Sequence, residues 1–203
     1  MNLLSLITPN SLPDFLHWQH APSDWEILPG GKIRVVAPGR VDYFQDPAGV
    51  LFNDSAPFLF KEIKGDFIAR TRVEPAFDTT YDAGALMVRQ DEKNWCKLCY
   101  ESTDFGTRAV VSVVTRSSSD DANGPNLNDQ SIFLQVFRLG NVFGFHYSLN
   151  GVEWNMVRLF RLDLLPTIKV GIVTQSPIGQ GTTVVFHTFE IENRSITNPR
   201  TGV

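Results

Sequence analysis

The feature that most constrains this chain is a dense succession of short runs in which apolar and polar residues alternate. Phe67 to Glu74 sets the pattern: Phe67, Ala69, Thr71 and Val73 fall on one side, with Arg70, Arg72 and Glu74 on the other. That is the period of two expected of a half-buried strand. Further runs rich in β-branched and aromatic residues cover Lys32 to Ala37, Ala85 to Gln90, Trp95 to Glu101, Ala109 to Thr115 and Ile132 to Arg138. Others cover Val142 to Leu149, Val157 to Leu162, Ile168 to Thr174 and Thr183 to Ile191. Such residues suit a pleated surface. No long stretch places apolar side chains at i, i+3, i+4 and i+7 between credible caps. Roughly ten or more strands split by turns predict an all-β sandwich or barrel.

The turn signals agree. Leu149-Asn150-Gly151-Val152 and Leu139-Gly140-Asn141 read as hairpin turns, because Asn and Gly tolerate positive φ. Asp91 to Asn94 is a polar hairpin loop. Ser117 to Asp129 reads as one long polar loop, either a loose connection or a lid over one end of a sheet. Its Asp120, Asp121, Asn123, Asn126, Asn128 and Asp129 offer oxygen ligands for calcium, although such compositions usually mark plain solvated loops. Trp18 to Leu28 is too aromatic for a loose tail and is expected to pack on the sandwich as a loop and early strand.

With 203 residues and neither a linker nor an internal repeat, the expectation is one domain over residues 1–203. The charge is mild, 18 Lys plus Arg against 22 Asp plus Glu. This argues against nucleic acid, which calls for a basic stripe, and supplies no polybasic patch for anionic lipid. No apolar run approaches the roughly 20 residues of a membrane span. The apolar start (Leu3, Leu4, Leu6, Ile7) lacks a basic flank and is broken by Pro9 and Pro13, a poor signal peptide. Cys96 and Cys99 form a C-x-x-C pair, but residues three apart on a strand point to opposite faces. Two unlinked thiols are expected, which suits a reducing, cytoplasmic location.

Several segments taken in order resemble a known family. They are Asp42-Tyr43-Phe44, the Tyr81 to Arg89 run with Gly84 and Met87, Trp95-x-Lys97-x-x-x-Glu101, Val111 to Thr115, and His146-Tyr147-Ser148-x-x-Gly151-x-x-Trp154. The set is similar to the concanavalin A-like proteins called the regulation-of-enolase family, over roughly Phe15 to Glu190. The resemblance implies a two-sheet antiparallel jelly-roll sandwich of the lectin and glucanase type. It brings no settled activity. Two departures are visible: Val41-Asp42-Tyr43-Phe44 lacks the family's Thr, and Leu98-Cys99-Tyr100 stands where a small residue and an aliphatic are usual.

The superfamily includes glycosidases, which need two carboxylates roughly 5 to 9 Å apart. No run here spaces Glu, Asp and Glu at alternate positions of one strand, so no catalytic residue is assigned. A glycoside hydrolase with a non-standard site is the least favoured alternative.

The better candidate is a binding face. Trp95, Lys97, Cys99 and Glu101 share one side of their strand, as do Ala85, Met87 and Arg89 of the neighbouring run. Arg72, Ser112, Gln135 and His146 could join from other strands. A concave outer face with Trp or Tyr for stacking and charged groups for hydroxyls would hold a carbohydrate. The plainer reading is a solvated sheet face, with Arg89, Lys97 and Glu101 as a ladder of ion pairs worth roughly a few tenths of a kcal/mol each. A non-catalytic binding or regulatory module is the expected role, with a carbohydrate ligand as its counterpart or, alternatively, a partner protein such as a metabolic enzyme. No cofactor or metal motif is present: Ser112 lacks a nucleophile elbow, and Gly30-Gly31 and Gly179-Gln180-Gly181 read as turns. Of the four histidines, His146 is the best placed for proton transfer, projecting opposite Phe143, Phe145 and Tyr147. His187 alternates with Val185 and Phe189, as a core or interface residue would.

Overall fold

The computed structural model describes residues 1–9 and 11–203. After one 3-10 turn at Leu3–Leu6, the strands run β1 (His17–Gln19), β2 (Asp24–Leu28), β3 (Lys32–Pro38), β4 (Tyr43–Gln45), β5 (Phe52–Asp54), β6 (Phe58–Lys64), β7 (Phe67–Pro75) and β8 (Ala83–Arg89). They continue as β9 (Asn94–Ser102), β10 (Arg108–Arg116), β11 (Ser118–Leu127), β12 (Ile132–Leu139), β13 (Val142–Ser148), β14 (Asn155–Arg161), β15 (Thr167–Gln175) and β16 (Gly181–Glu192). Two seven-stranded sheets form a jelly-roll sandwich. One has the order β1-β6-β15-β8-β9-β10-β11 and the other β14-β13-β12-β7-β16-β3-β2, with every pairing antiparallel. None of the helices among the described residues is long and apolar enough to cross a membrane.

The interior lies between the sheets. Leu86, Val88, Leu98, Tyr100, Val110 and Ile172 from the first sheet meet Phe67, Val73, Val136, Phe145, Val184 and Phe186 from the second. Packing is close at Gly84, where a Cβ would fall 2.3 Å from Val73 Cγ2 and 2.7 Å from Val184 Cγ1. Any side chain there would have to push the sheets apart.

β3 and β7 show the alternating burial their sequences predict. β8, β9 and β10 do not: their central residues are buried on both sides. The reason is a second apolar cluster on the outer face of their sheet, built from Tyr43, Ala56, Phe58, Ala85, Met87, Trp95, Cys99, Val111 and Val113. The small hairpin β4–β5 roofs this face. Its anchors are hydrogen bonds from Gln45 N to Ser119 Oγ (2.9 Å) and from Gln45 Nε2 to Glu92 O (3.0 Å).

Several expectations change. The segment read as one long polar loop is strand β11, which pairs with β10 along its length. An edge strand exposed on one side needs few apolar residues and benefits from polar ones. There Asp120 pairs with Arg158 at 2.9 Å, and among the described residues no group of three or more His, Cys, Asp or Glu is placed to hold a metal ion. The Asn150-Gly151 signal belongs to a wider turn, in which only Gly151 has positive φ and Asn150 Oδ1 accepts from Val152 N and Glu153 N. Trp18 and Trp25 sit on strands of different sheets with ring centroids 6.4 Å apart, closing one edge of the sandwich. His187 is not a core residue: it points outward with Val185, where Nε2 lies 2.7 Å from Glu74 Oε2, and the bulge between Phe186 and Thr188 returns Phe189 to the interior. Cys96 faces the interior and Cys99 the outer cluster, and both are free.

Candidate functional site

The roof does not cover the whole outer face. Beside the β4–β5 hairpin it leaves a cavity of about 440 Å³, within the range of small-ligand pockets. Lys97, Glu101 and Val113 form its floor from β9 and β10, and Gln175 comes from the end of β15. Asp42, Phe44 and Asn53 come from the roof, Asp121 from β11, and Leu51, Tyr81, Pro177 and Ile178 from the rim.

Lys97 organises the floor. Its Nζ donates to Asp42 Oδ1 and to Gln175 Oε1, each at 2.7 Å. It is 2 % exposed. Burial opposes its charge, but the neighbouring acids, Asp42 first, outweigh burial and raise its pKa. Asp42 Oδ1 also accepts from Tyr43 N at 2.7 Å, so one carboxylate fixes both the lysine and the entry into the roof. Gln175 Nε2 donates to Tyr81 O at 3.2 Å and to Glu101 Oε2 at 3.3 Å. Glu101 is 8 % exposed, and burial pushes its carboxyl up to about 8. Its Oε1 has no hydrogen-bond partner among the described residues. At neutral pH this side chain is mostly protonated, so it can donate as well as accept.

The eight expected site residues divide. Lys97 and Glu101 meet in the cavity. Trp95 shares their face but is fully buried under the roof, edge-on to Tyr43 at 6.2 Å, with Nε1 donating to Glu92 O. It therefore offers no ring for stacking, and the aromatic walls of the cavity are Phe44 and Tyr81. Arg89 lies on the same face beside a separate shallow depression with Lys169 and Gln19. Its Nη1 and Nη2 each lie 2.9 Å from a carboxylate oxygen of Asp54, and its guanidinium stands 5.3 Å from the Tyr43 ring.

The remaining four face elsewhere. Ser112 has the parity of Val110 and Val114, which point into the sandwich interior, and its Oγ donates to Ala122 O. Arg72, Gln135 and His146 belong to the opposite sheet. Arg72 donates to Ser131 Oγ at 3.1 and 2.9 Å. Gln135 accepts from Arg70 Nε at 2.6 Å and donates to Gly202 O at 2.9 Å. His146 is fully buried beneath the C-terminal residues rather than solvated.

The ladder of ion pairs along β8 and β9 does not form either. Arg89 and Lys97 each pair with an acid of the roof, Asp54 and Asp42, instead of with Glu101. Sequence reasoning missed Asp42, Asp121, Gln175, Phe44 and Tyr81 as one group, because they lie on four separate segments. Asp42-Tyr43-Phe44 and Tyr81 stood out only as pieces of the family pattern.

The comparisons agree with this architecture. A family model described as "Protein of unknown function (DUF1349)" matches residues 18–194. The chain is 28% identical over 159 residues to the Saccharomyces cerevisiae protein named "Regulation of enolase protein 1", covering 77% of this chain and 79% of that one. It is similar to a crystal structure of a functionally unknown S. cerevisiae protein, with a TM-score of 0.82, 25% identity and coverage of 88% of this chain and 96% of that one. Two bacterial structures share the fold. One is the GH43 protein BlXynB of Bacillus licheniformis, with a TM-score of 0.75 and 15% identity, matched over 95% of this chain but 39% of that one. The other is the carbohydrate-binding module CBM66 of Bacillus subtilis, with a TM-score of 0.58 and 15% identity, over 87% of this chain and 95% of that one. A match that spans nearly all of the strands carrying both the sandwich and its roof makes this chain a member of the DUF1349 family.

Proposed function

We propose that this chain is a non-catalytic binding module whose roofed cavity takes a carbohydrate. The observation that carries the reading is the combination in one cavity of a hydrogen-bonded polar floor, Lys97, Gln175 and Glu101, with aromatic walls, Phe44 and Tyr81. A sugar presents hydroxyls at its edge and C–H groups on its faces. The floor meets the first requirement and the walls the second. The carbohydrate-binding module among proteins of this fold is consistent with the reading. The two free, buried thiols favour a cytoplasmic location.

The test is a glycan array followed by calorimetry on hits, with Asn53→Trp as the blocked-cavity variant. Asn53 lines the cavity from the roof, so a Trp there fills space without entering the interior. Binding that Asn53→Trp abolishes supports the proposal. The absence of any glycan hit, or binding that survives the filled cavity, overturns it.

A second reading is a protein-interaction regulator. It is favoured by the apolar hairpin tip beside the cavity, where Val50 is 85 % exposed and Leu51 and Phe52 are also exposed. The name of the yeast relative suggests the probe. Purified enolase that binds the chain, and loses that binding when Leu51 and Phe52 are both changed to Asp, would favour this reading. No binding would exclude enolase as the partner.

A further inference from the structure

The cavity is unbalanced in charge, and the imbalance is informative about its ligand. Asp42, Asp121 and the largely protonated Glu101 line it against one cation, Lys97, so the negative surplus sits on Asp121. Lys97 is already committed to Asp42 and Gln175. Among the described residues no arginine or second lysine lines the cavity. The groups bearing on Glu101 are Lys97 and Cys99 on its own strand, Asp42 from the roof, Asp121 from β11, Asp104 from the turn after β9, and Tyr81 ahead of β8. All but Lys97 are acidic or neutral.

Glu101 is also a buried carboxyl with an oxygen left over. More than nine-tenths of the residue is buried, Oε2 accepts only the 3.3 Å bond from Gln175, and Oε1 makes no hydrogen bond among the described residues. A cation inside the cavity would satisfy this oxygen and offset the surplus negative charge together.

Resting on the carbohydrate reading above, we infer that the preferred ligand is a saccharide carrying a free amino group, with its ammonium against Glu101 and Asp121. On binding, the Glu101 carboxyl gives up its proton to solvent and the ammonium takes its place as the partner of that oxygen. An acidic sugar would meet like charge and be rejected.

The experiment uses the whole chain and three matched β-1,4-linked tetrasaccharides: a neutral glucan, its 2-amino counterpart and its uronic acid counterpart. Calorimetry at neutral pH in two buffers of different ionisation enthalpy gives affinity and proton count. The expected result is a preference of about tenfold or more for the amino sugar over the neutral one, as a close charge pair in a partly dry site can supply. Proton release should accompany binding. Glu101→Gln should collapse that preference, and Asp121→Asn, on the exposed edge strand, should reduce it.

A neutral sugar bound as well as the amino sugar overturns this inference and leaves the carbohydrate reading standing. So does a preference that survives in Glu101→Gln. If none of the three binds and the glycan array is also empty, both fail. Calcium ion alone competing with the amino sugar would assign the acidic surplus to a metal and overturn the inference.

Discussion

Lys97 Nζ lies 2.7 Å from Asp42 Oδ1, and the two residues belong to opposite sides of the outer cluster, one on the sheet and one at the start of its roof. The pair is almost dry, so it works as a latch more than as a net source of stability. Removing one partner strands the other charge. Lys97→Met is expected to cost about 3 to 5 kcal/mol. The double variant Lys97→Met/Asp42→Asn should recover part of that loss. Urea unfolding of the four members of the cycle measures it, and a single variant as stable as the parent would refute the latch.

Glu101 makes stability fall as pH rises. Its folded pKa of about 8 is above the unfolded carboxyl value of about 4.3. The folded state therefore holds the proton more tightly in that window. This contribution is full below the unfolded value and is lost as pH climbs through about 8. Glu101→Gln mimics the protonated side chain. It should match the parent near pH 4 and exceed it near pH 9, by on the order of a few kcal/mol. Equal stability of the two proteins at both values would show that the carboxyl is not held protonated.

His146 works at the other end of the scale. Neither ring nitrogen reaches a partner at full hydrogen-bond geometry, and burial lowers its pKa against a weaker opposing pull from the Arg200 and Pro199 backbone. The folded state resists protonation, so stability is intact above the unfolded value of about 6.5 and declines as pH falls from there toward the folded value. His146→Phe should flatten thermal stability across that acid window. Parallel acid melting of parent and variant would count against it.

Gly202 holds the chain end over His146. Its φ is +79°, and an added Cβ would lie 2.8 Å from Trp154 Cβ. Gly202→Ala is expected to cost about 1 to 2 kcal/mol. It should also make the last residues accessible to carboxypeptidase while the sandwich stays folded. An unchanged digestion rate would mean that the glycine is not what seats the segment.

Tyr43 is the centre of the roof, fully buried between Trp95 and Phe58. Tyr43→Ala removes an aromatic side chain from a packed site and should cost about 3 to 5 kcal/mol. It should also wet Trp95, red-shifting its fluorescence in a background in which the other three tryptophans are Phe. An unshifted spectrum would place Trp95 out of the reach of the roof.

The strands of the sandwich were legible where one face is buried and the other is wet, as in β3 and β7, because alternation reports that arrangement directly. β11 was not legible, since its pairing with β10 relies on backbone groups and its side chains are nearly all polar. β4 and β5 were too short to leave a periodic signal. Without them the outer face of β8 to β10 read as open, which is why Trp95 was expected to stack on a ligand and is instead sealed. Lys97 and Glu101 were found because both lie on one strand two pleats apart. Asp42 and Gln175 could not be joined to them by counting, since loops and a crossover between sheets set their approach. Arg72, Gln135 and His146 had the right parity for an outer face but the wrong sheet, a distinction that strand order makes and sequence periodicity does not.

β9 separates two dry compartments. Cys96, Leu98 and Tyr100 belong to one, and Trp95, Lys97, Cys99 and Glu101 to the other. It is a party wall, so none of its central positions has a solvent side on which drift would be harmless. A slip of one residue would send a lysine and a glutamate into the hydrocarbon interior and Leu98 and Tyr100 into the polar cavity. The cavity floor and the sandwich interior thus share one backbone, and any displacement of Lys97 or Glu101 is felt at once by Leu98 and Tyr100 on the far side.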